Sequence, residues 1–167
     1  MSGRVWRFGD DVDTDALAPG AYMKASLDVL ASHCLESLDP GFAQAVRPGD
    51  VVVAGRNFGL GSSREQAAQA LVHLGVAAVV ARSFAGIFHR NALNLGLPVV
   101  VCEEAGRLQA GERVEVDAGA GEIRRQDGSS LACEPLPPFL LAMLADGGLV
   151  PHLERKLAAA AAKEGSR

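Results

Sequence analysis

Apolar residues in this chain follow two patterns. Val51-Val52-Val53-Ala54, Val76-Ala77-Ala78-Val79-Val80-Ala81 and Val99-Val100-Val101 are short runs with no polar interruption. Such runs read as strands covered on both faces, which is typical of parallel strands. Between them, Arg64–Leu74 and Phe84–Leu95 read as helices, and Gly75 ends the first. The predicted order is strand 50–54, helix 64–74, strand 76–82, helix 84–95, strand 98–102. This βαβαβ unit requires right-handed crossovers.

The flanks read differently. Arg4–Phe8 alternates as a first strand, Gly9–Gly20 is a loop rich in Asp, Pro and Gly, and Leu27–Leu35 suits a short helix. Past residue 103, Arg113–Asp117 and Gly121–Arg125 alternate around a Gly-rich turn, which predicts an antiparallel hairpin. Pro138 opens a helix through Leu144 that stops at Gly147-Gly148. A last helix starts near Pro151, and 158–167 is expected to fray as a tail.

Length and composition narrow the class. At 167 residues and 49% apolar content, a single domain over 1–167 with an ample core is expected. A net charge of −4 with no long basic run gives nucleic-acid binding no electrostatic support. The N-terminus lacks the apolar segment of a signal peptide, and no apolar run approaches the ~18 residues of a membrane span. A cytoplasmic protein is expected. Cys34, Cys102 and Cys133 are widely spaced and form no CxxC pair, so they read as three reduced, mostly buried thiols.

The candidate chemistry centres on Asn57-Phe58-Gly59-Leu60-Gly61-Ser62-Ser63-Arg64-Glu65-Gln66, at a predicted strand-to-helix turn. The free N–H groups of a helix start favour anions, and Arg64 adds a planar fork matched to a carboxylate or phosphate. Two plainer readings compete. Ser62-x-x-Glu65 fits a capping box, in which Ser62 does no more than cap. Gly59-x-Gly61 suggests a dinucleotide turn, but the third glycine falls at Arg64 and the next strand ends in Arg82-Ser83 without a ribose-binding acid. Nucleotide binding is therefore disfavoured. Crowding of both glycines, both serines and Arg64 into one turn exceeds what a cap requires.

Other motifs weigh less. Asp11–Asp15 imitates the start of a calcium loop, but Ala16 replaces its glycine and Tyr22 its closing glutamate. Ser83–Asn94 reads as a Ser-capped amphipathic helix, with Asn91 and Asn94 placed to brace a neighbouring loop. His33, His73, His89 and His152 have no metal-ligand spacing.

Taken together, Gly9–Asp15, Asn57–Gln66 and Ser83–Leu97 resemble the 3-isopropylmalate dehydratase small-subunit family, the separate form of the aconitase swivel domain. The likeness is in order and nearly full length, extending to Cys133–Phe139 and Gly147-Gly148-Leu149. It implies an α/β swivel fold of the β/β/α type: a parallel βαβαβ core with an antiparallel hairpin and C-terminal helices. It implies a large partner subunit, in a heterodimer or heterotetramer, that holds a [4Fe-4S] cluster while this chain holds none. The implied reaction is dehydration and rehydration of a small 2-hydroxy dicarboxylate.

By position, the resemblance makes Ser62 the base, as an alkoxide, and lets Ser63 and Arg64 bind substrate. Thr14 and Asp15 form the matching Thr-Asp pair, with Asp15 orienting a histidine of the partner. Leu60 stands where cysteine is usual. Tyr22-Met23-Lys24-Ala25 occupies the specificity loop, where homoaconitate enzymes often carry an arginine; Lys24 is the candidate for an extra carboxylate. 2-Isopropylmalate and 3-isopropylmalate are the leading substrates. Homoaconitate, 2-methylmalate or 2,3-dimethylmalate dehydratase subunits, or a non-catalytic anion-binding module, are the rivals.

Overall fold

The computed structural model describes residues 2–166. Seven strands form one sheet in the order β4-β3-β2-β1-β5-β6-β7. They are β1 (Ser2–Arg7), β2 (Val51–Ala54), β3 (Ala78–Ala81), β4 (Val99–Val101), β5 (Arg113–Asp117), β6 (Glu122–Arg125) and β7 (Ser130–Ala132). The first four are mutually parallel and the last three antiparallel. β1 belongs to both halves: Ser2–Arg4 pair with β5, and Val5–Arg7 pair with β2.

The uninterrupted apolar runs have a direct cause. Successive strand residues point to opposite faces, and both faces of the parallel half are covered. Val52, Ala54, Val79, Ala81 and Val99 join a cluster with Phe42, Leu71, Phe88 and Ala92 under the helices. Val51, Val53, Ala78, Val80 and Val100 join a second cluster with Val114, Val116, Ile123 and Leu131. The antiparallel strands thus supply the second cover, a role that the sequence pattern does not disclose. The α/β swivel architecture expected from the sequence is the one observed.

The helices are α1 (Thr14–Leu17), α2 (Leu27–Ser32), α3 (Phe42–Ala45), α4 (Glu65–His73), α5 (Gly86–Asn94), α6 (Pro138–Ala145) and α7 (Leu149–Glu164). α1 breaks the expected 9–20 loop because the Asp13 side chain caps it, accepting from Ala16 N at 2.7 Å. α2 stops short of the expected Leu35, which sits at φ 60°. α5 is not Ser-capped. Its cap residue is Ala85, and Ser83 Oγ instead accepts the Asn57 N–H at 2.9 Å. Neither Asn91 nor Asn94 braces a loop through a side-chain hydrogen bond among the described residues. Pro138 opens α6 as predicted. α7 begins before Pro151 and continues through the alanines to Glu164, although the whole stretch 158–166 is exposed. Alanine has the highest helix propensity, so the helix persists there without packing.

Candidate functional site

The site lies beyond the carboxyl ends of the parallel strands, where open α/β sheets place ligands. The loops leaving β1, β2 and β3 continue the sheet as single bridges, Asp13 with Leu60 and Phe58 with Phe84. Gly59 N donates to Val12 O at 2.7 Å and Thr14 N to Leu60 O at 2.8 Å. Phe58 N donates to Ser83 O and Ala85 N to Phe58 O, at 3.1 and 2.9 Å. Two non-glycine residues adopt left-handed backbone where the loops turn, Asp11 (φ 56°) and Asn57 (φ 58°). Their side chains hold each other, Asn57 Nδ2 donating to Asp11 Oδ1 at 3.0 Å. Motifs 46 residues apart in sequence are thereby stitched into one surface.

The two glycines are needed for different reasons. Gly59 has φ +84°, and a Cβ there would lie 2.3 Å from the Phe88 ring and its Cβ. Gly61 has φ +120°, and a Cβ there would lie 2.8 Å from Thr14 Oγ1. Gly59 therefore lets the loop sit on α5, and Gly61 lets it close on α1.

Ser62 does not cap α4. The cap residue is Arg64, with no side-chain cap bond, so the capping-box reading fails. Ser62 turns to α1 instead: its N–H donates to Thr14 Oγ1 at 3.1 Å, and its Oγ lies 3.2 Å from the same oxygen. Thr14 is buried while Ser62 and Ser63 are exposed. Ser63 makes no hydrogen bond with the described residues.

Arg64 is drawn to α1 as well. Nη1 donates to Asp15 Oδ1 at 3.1 Å and to Ala18 O at 3.0 Å. Asp15 Oδ1 also accepts from Gly20 N at 3.1 Å. The Arg64 bond, followed by the Gly20 bond, holds the Asp15 carboxyl below its ordinary value of 3.8. The carbonyl of Ala18 and the amide of Gly20 carried no sequence signal, because backbone groups are common to all residues.

The specificity-loop residues stand apart from these contacts. Tyr22 stacks on His33 with centroids 3.7 Å apart and planes 3° from parallel. Lys24 is exposed and makes no hydrogen bond or ion pair with the described residues. The structure thus brings Ser62 onto Thr14 and Arg64 onto the neighbouring Asp15, leaves Ser63 exposed beside them, and ties Tyr22 to His33.

The acidic first motif divides among separate partners: Asp11 bonds Asn57, Asp13 caps α1, and Asp15 bonds Arg64. The thiols divide between the two faces of the sheet, with Cys133 packed on the same side as Cys102. Cys34 lies in the cluster under the helices, and Cys102 in the cluster on the other face of the sheet. Burial pushes both thiols up, and pushes half-buried Cys133 up to about 11. Thiols raised in this way, with Cys34 across the sheet from Cys102 and Cys133, do not fit a common cluster.

Residues 39–104 match the family model of the aconitase C-terminal domain. The chain is 53% identical over 154 residues to the methanogen homoaconitase small subunit of Methanothermobacter thermautotrophicus, covering 91% of this chain and 89% of that protein. It is 50% identical over 159 residues to the 3-isopropylmalate dehydratase small subunit 1 of Methanopyrus kandleri, covering 93% and 94%. It is 46% identical over 159 residues to the 3-isopropylmalate dehydratase small subunit of Syntrophus aciditrophicus, covering 93% and 97%. Its fold superposes on the crystal structure of 3-isopropylmalate dehydratase (LeuD) from Methanocaldococcus jannaschii with a TM-score of 0.92. Identity there is 42%, and 98% of each chain is covered.

Proposed function

This chain belongs to the 3-isopropylmalate dehydratase small-subunit family, and from that membership we propose that it is the small subunit of a two-subunit hydro-lyase. The enzyme interconverts 2-isopropylmalate and 3-isopropylmalate by dehydration and rehydration, a step of leucine biosynthesis in the cytoplasm. The supporting observation is the contact of Ser62 and Arg64 with Thr14 and Asp15 on an open surface. A hydroxyl, a guanidinium and a carboxylate facing outward from one chain make half a site, and a large subunit supplies the rest. The large subunit, in a heterodimer or heterotetramer, holds the [4Fe-4S] cluster; the raised thiols of this chain, with Cys34 across the sheet from the other two, do not fit one.

Within this chain the roles divide by chemistry. Ser62 takes the carbon-bound proton of the substrate, and Ser63 adds a hydroxyl contact. Arg64 clamps a substrate carboxylate through its fork, since bidentate charged hydrogen bonds fix both position and orientation. Nη2 and Nε make no hydrogen bond with the described residues, so the guanidinium has donors to offer before any of these bonds breaks. Asp15, exposed beside it, orients a proton-donating group of the large subunit.

A second substrate reading has its own observation. Lys24 is exposed and makes no ion pair with the described residues, and the methanogen homoaconitase small subunit is among the similar proteins. A free ammonium in this loop suits the extra carboxylate of homoaconitate. A substrate panel on the complex with its cognate large subunit decides. Isopropylmalate turnover that survives Lys24→Ala supports the first reading. Homoaconitate turnover that is abolished by Lys24→Ala supports the second. Absence of turnover on either, with an assembled cluster-bearing complex, would sink both.

A further inference from the structure

We propose that the buried hydroxyl of Thr14 is a dedicated hydrogen-bond donor to Ser62 Oγ, holding that oxygen as an acceptor before substrate arrives. The inference rests on reading Ser62 as the base. Thr14 is 4% exposed, so water does not serve its hydroxyl. Its oxygen already accepts the Ser62 N–H at 3.1 Å. Its proton therefore needs an acceptor, and a buried donor left without one is costly. Among the described residues the hydroxyl has one available acceptor, Ser62 Oγ at 3.2 Å.

This fixes the direction of a bond whose distance alone is symmetric. Thr14 donates, and the proton of Ser62 turns to the solvent side, where Ser62 is exposed. That proton can leave without breaking any hydrogen bond to the described residues. As Oγ becomes negative, the bond from Thr14 becomes charge-assisted and strengthens. No proton passes between the two residues: the substrate's carbon-bound proton ends on Ser62 Oγ, and Thr14 keeps its own. Gly61 makes the approach feasible, because any Cβ would occupy the space 2.8 Å from Thr14 Oγ1.

A merely structural Thr14 would pin the loop through the Ser62 N–H alone. The two roles separate in a pH profile of the reconstituted complex. Thr14→Val is expected to assemble normally, to lower kcat about 10²-fold with little change in KM, and to move the acidic limb of kcat/KM to higher pH. Thr14→Ser, which restores the hydroxyl, is expected to return both kcat and the limb. Thr14→Ala repeats the comparison if Thr14→Val does not assemble, with the same displacement expected. A wild-type kcat in Thr14→Val, a fall in kcat with an unmoved limb, or no rescue by serine would each overturn the proposal. Ser62→Ala distinguishes the underlying reading. If it retains turnover, the base assignment fails. If it is inactive while Thr14→Val is normal, the role of Thr14 alone falls.

Discussion

Arg64 donates to the Asp15 carboxylate at 3.1 Å, so the cation placed to receive a substrate carboxylate is already held by one from its own chain. The pair is exposed, with side-chain accessibilities of 29% and 70%, and water screens it. Its value is geometric: it presets the guanidinium. Arg64→Lys is expected to raise KM about tenfold, the effect of one lost charged hydrogen bond, with the melting temperature unchanged. Unchanged KM and kcat in steady-state kinetics would remove Arg64 from substrate binding.

The same pair sets a titration. Asp15 is depressed below 3.8 by Arg64 first and Gly20 second. A depressed carboxyl favours the folded loop above its unfolded value and loses that contribution as pH falls through its folded one. The α1 contact with Arg64 should therefore survive acidification through the ordinary carboxylate range. Carboxyl NMR on the isolated chain should place Asp15 below 3.8, and in Arg64→Gln it should move back towards that value.

Gly61 offers a test of loop closure separate from the chemistry. Gly61→Ala adds a Cβ 2.8 Å from Thr14 Oγ1 at φ +120°. Backbone strain of this kind costs about 1–3 kcal/mol, and the loop relieves it by moving away from α1. Activity should fall steeply while thermal stability drops modestly. Full activity in Gly61→Ala would mean that the Thr14–Ser62 contact is not needed.

Away from the site, Asp50 ties the start of β2 to its neighbours. At 7% exposure it accepts from Trp6 Nε1 and Arg47 N, both at 2.9 Å, and from Arg4 N at 3.3 Å. Burial raises its pKa, but the bonds from Trp6, Arg47 and Arg4 outweigh this and leave it lowered. Asp50→Ala strands these donors and is expected to cost about 3 kcal/mol in denaturant unfolding. The lowered value means that the wild type keeps this contribution at neutral pH and loses it below the carboxylate range. The variant should show a flatter acid limb of stability.

α7 makes a further prediction. Residues 158–166 are exposed, and residues through Glu164 are helical. Removing 158–167 should lower helical circular dichroism and leave the melting temperature unchanged. A large fall in melting temperature would show packing that exposure does not suggest.

Much of this was legible in the sequence. Val51–Ala54, Val76–Ala81 and Val99–Val101 announced parallel strands because burial on both faces removes any alternation. The crowded Asn57–Gln66 turn marked the site because its residues exceed what a cap requires. Other features were hidden by their physics. β7 has three residues, too few to show a period. The Ser62-x-x-Glu65 spacing suits a capping box, but positive φ at Gly59 and Gly61 swings Ser62 away from α4 and onto Thr14. Ser83 likewise reads as a cap and serves Asn57 instead. Such tertiary partners lie 48 and 26 residues away, beyond any local window.

β1 carries one more consequence. Six residues pair with two strands of opposite direction, three facing β5 and three facing β2. The strand works as a splice: the half of the sheet that bears the loops cannot come free of the half that covers it without opening the same short segment. Amide exchange in Ser2–Arg7 should therefore occur only when the whole domain opens, so the loops after β1 and β2 hang from one of the slowest-exchanging parts of the chain. Mobility needed to admit a substrate must then arise beyond Phe8, in the loops themselves, on an anchorage that stays closed.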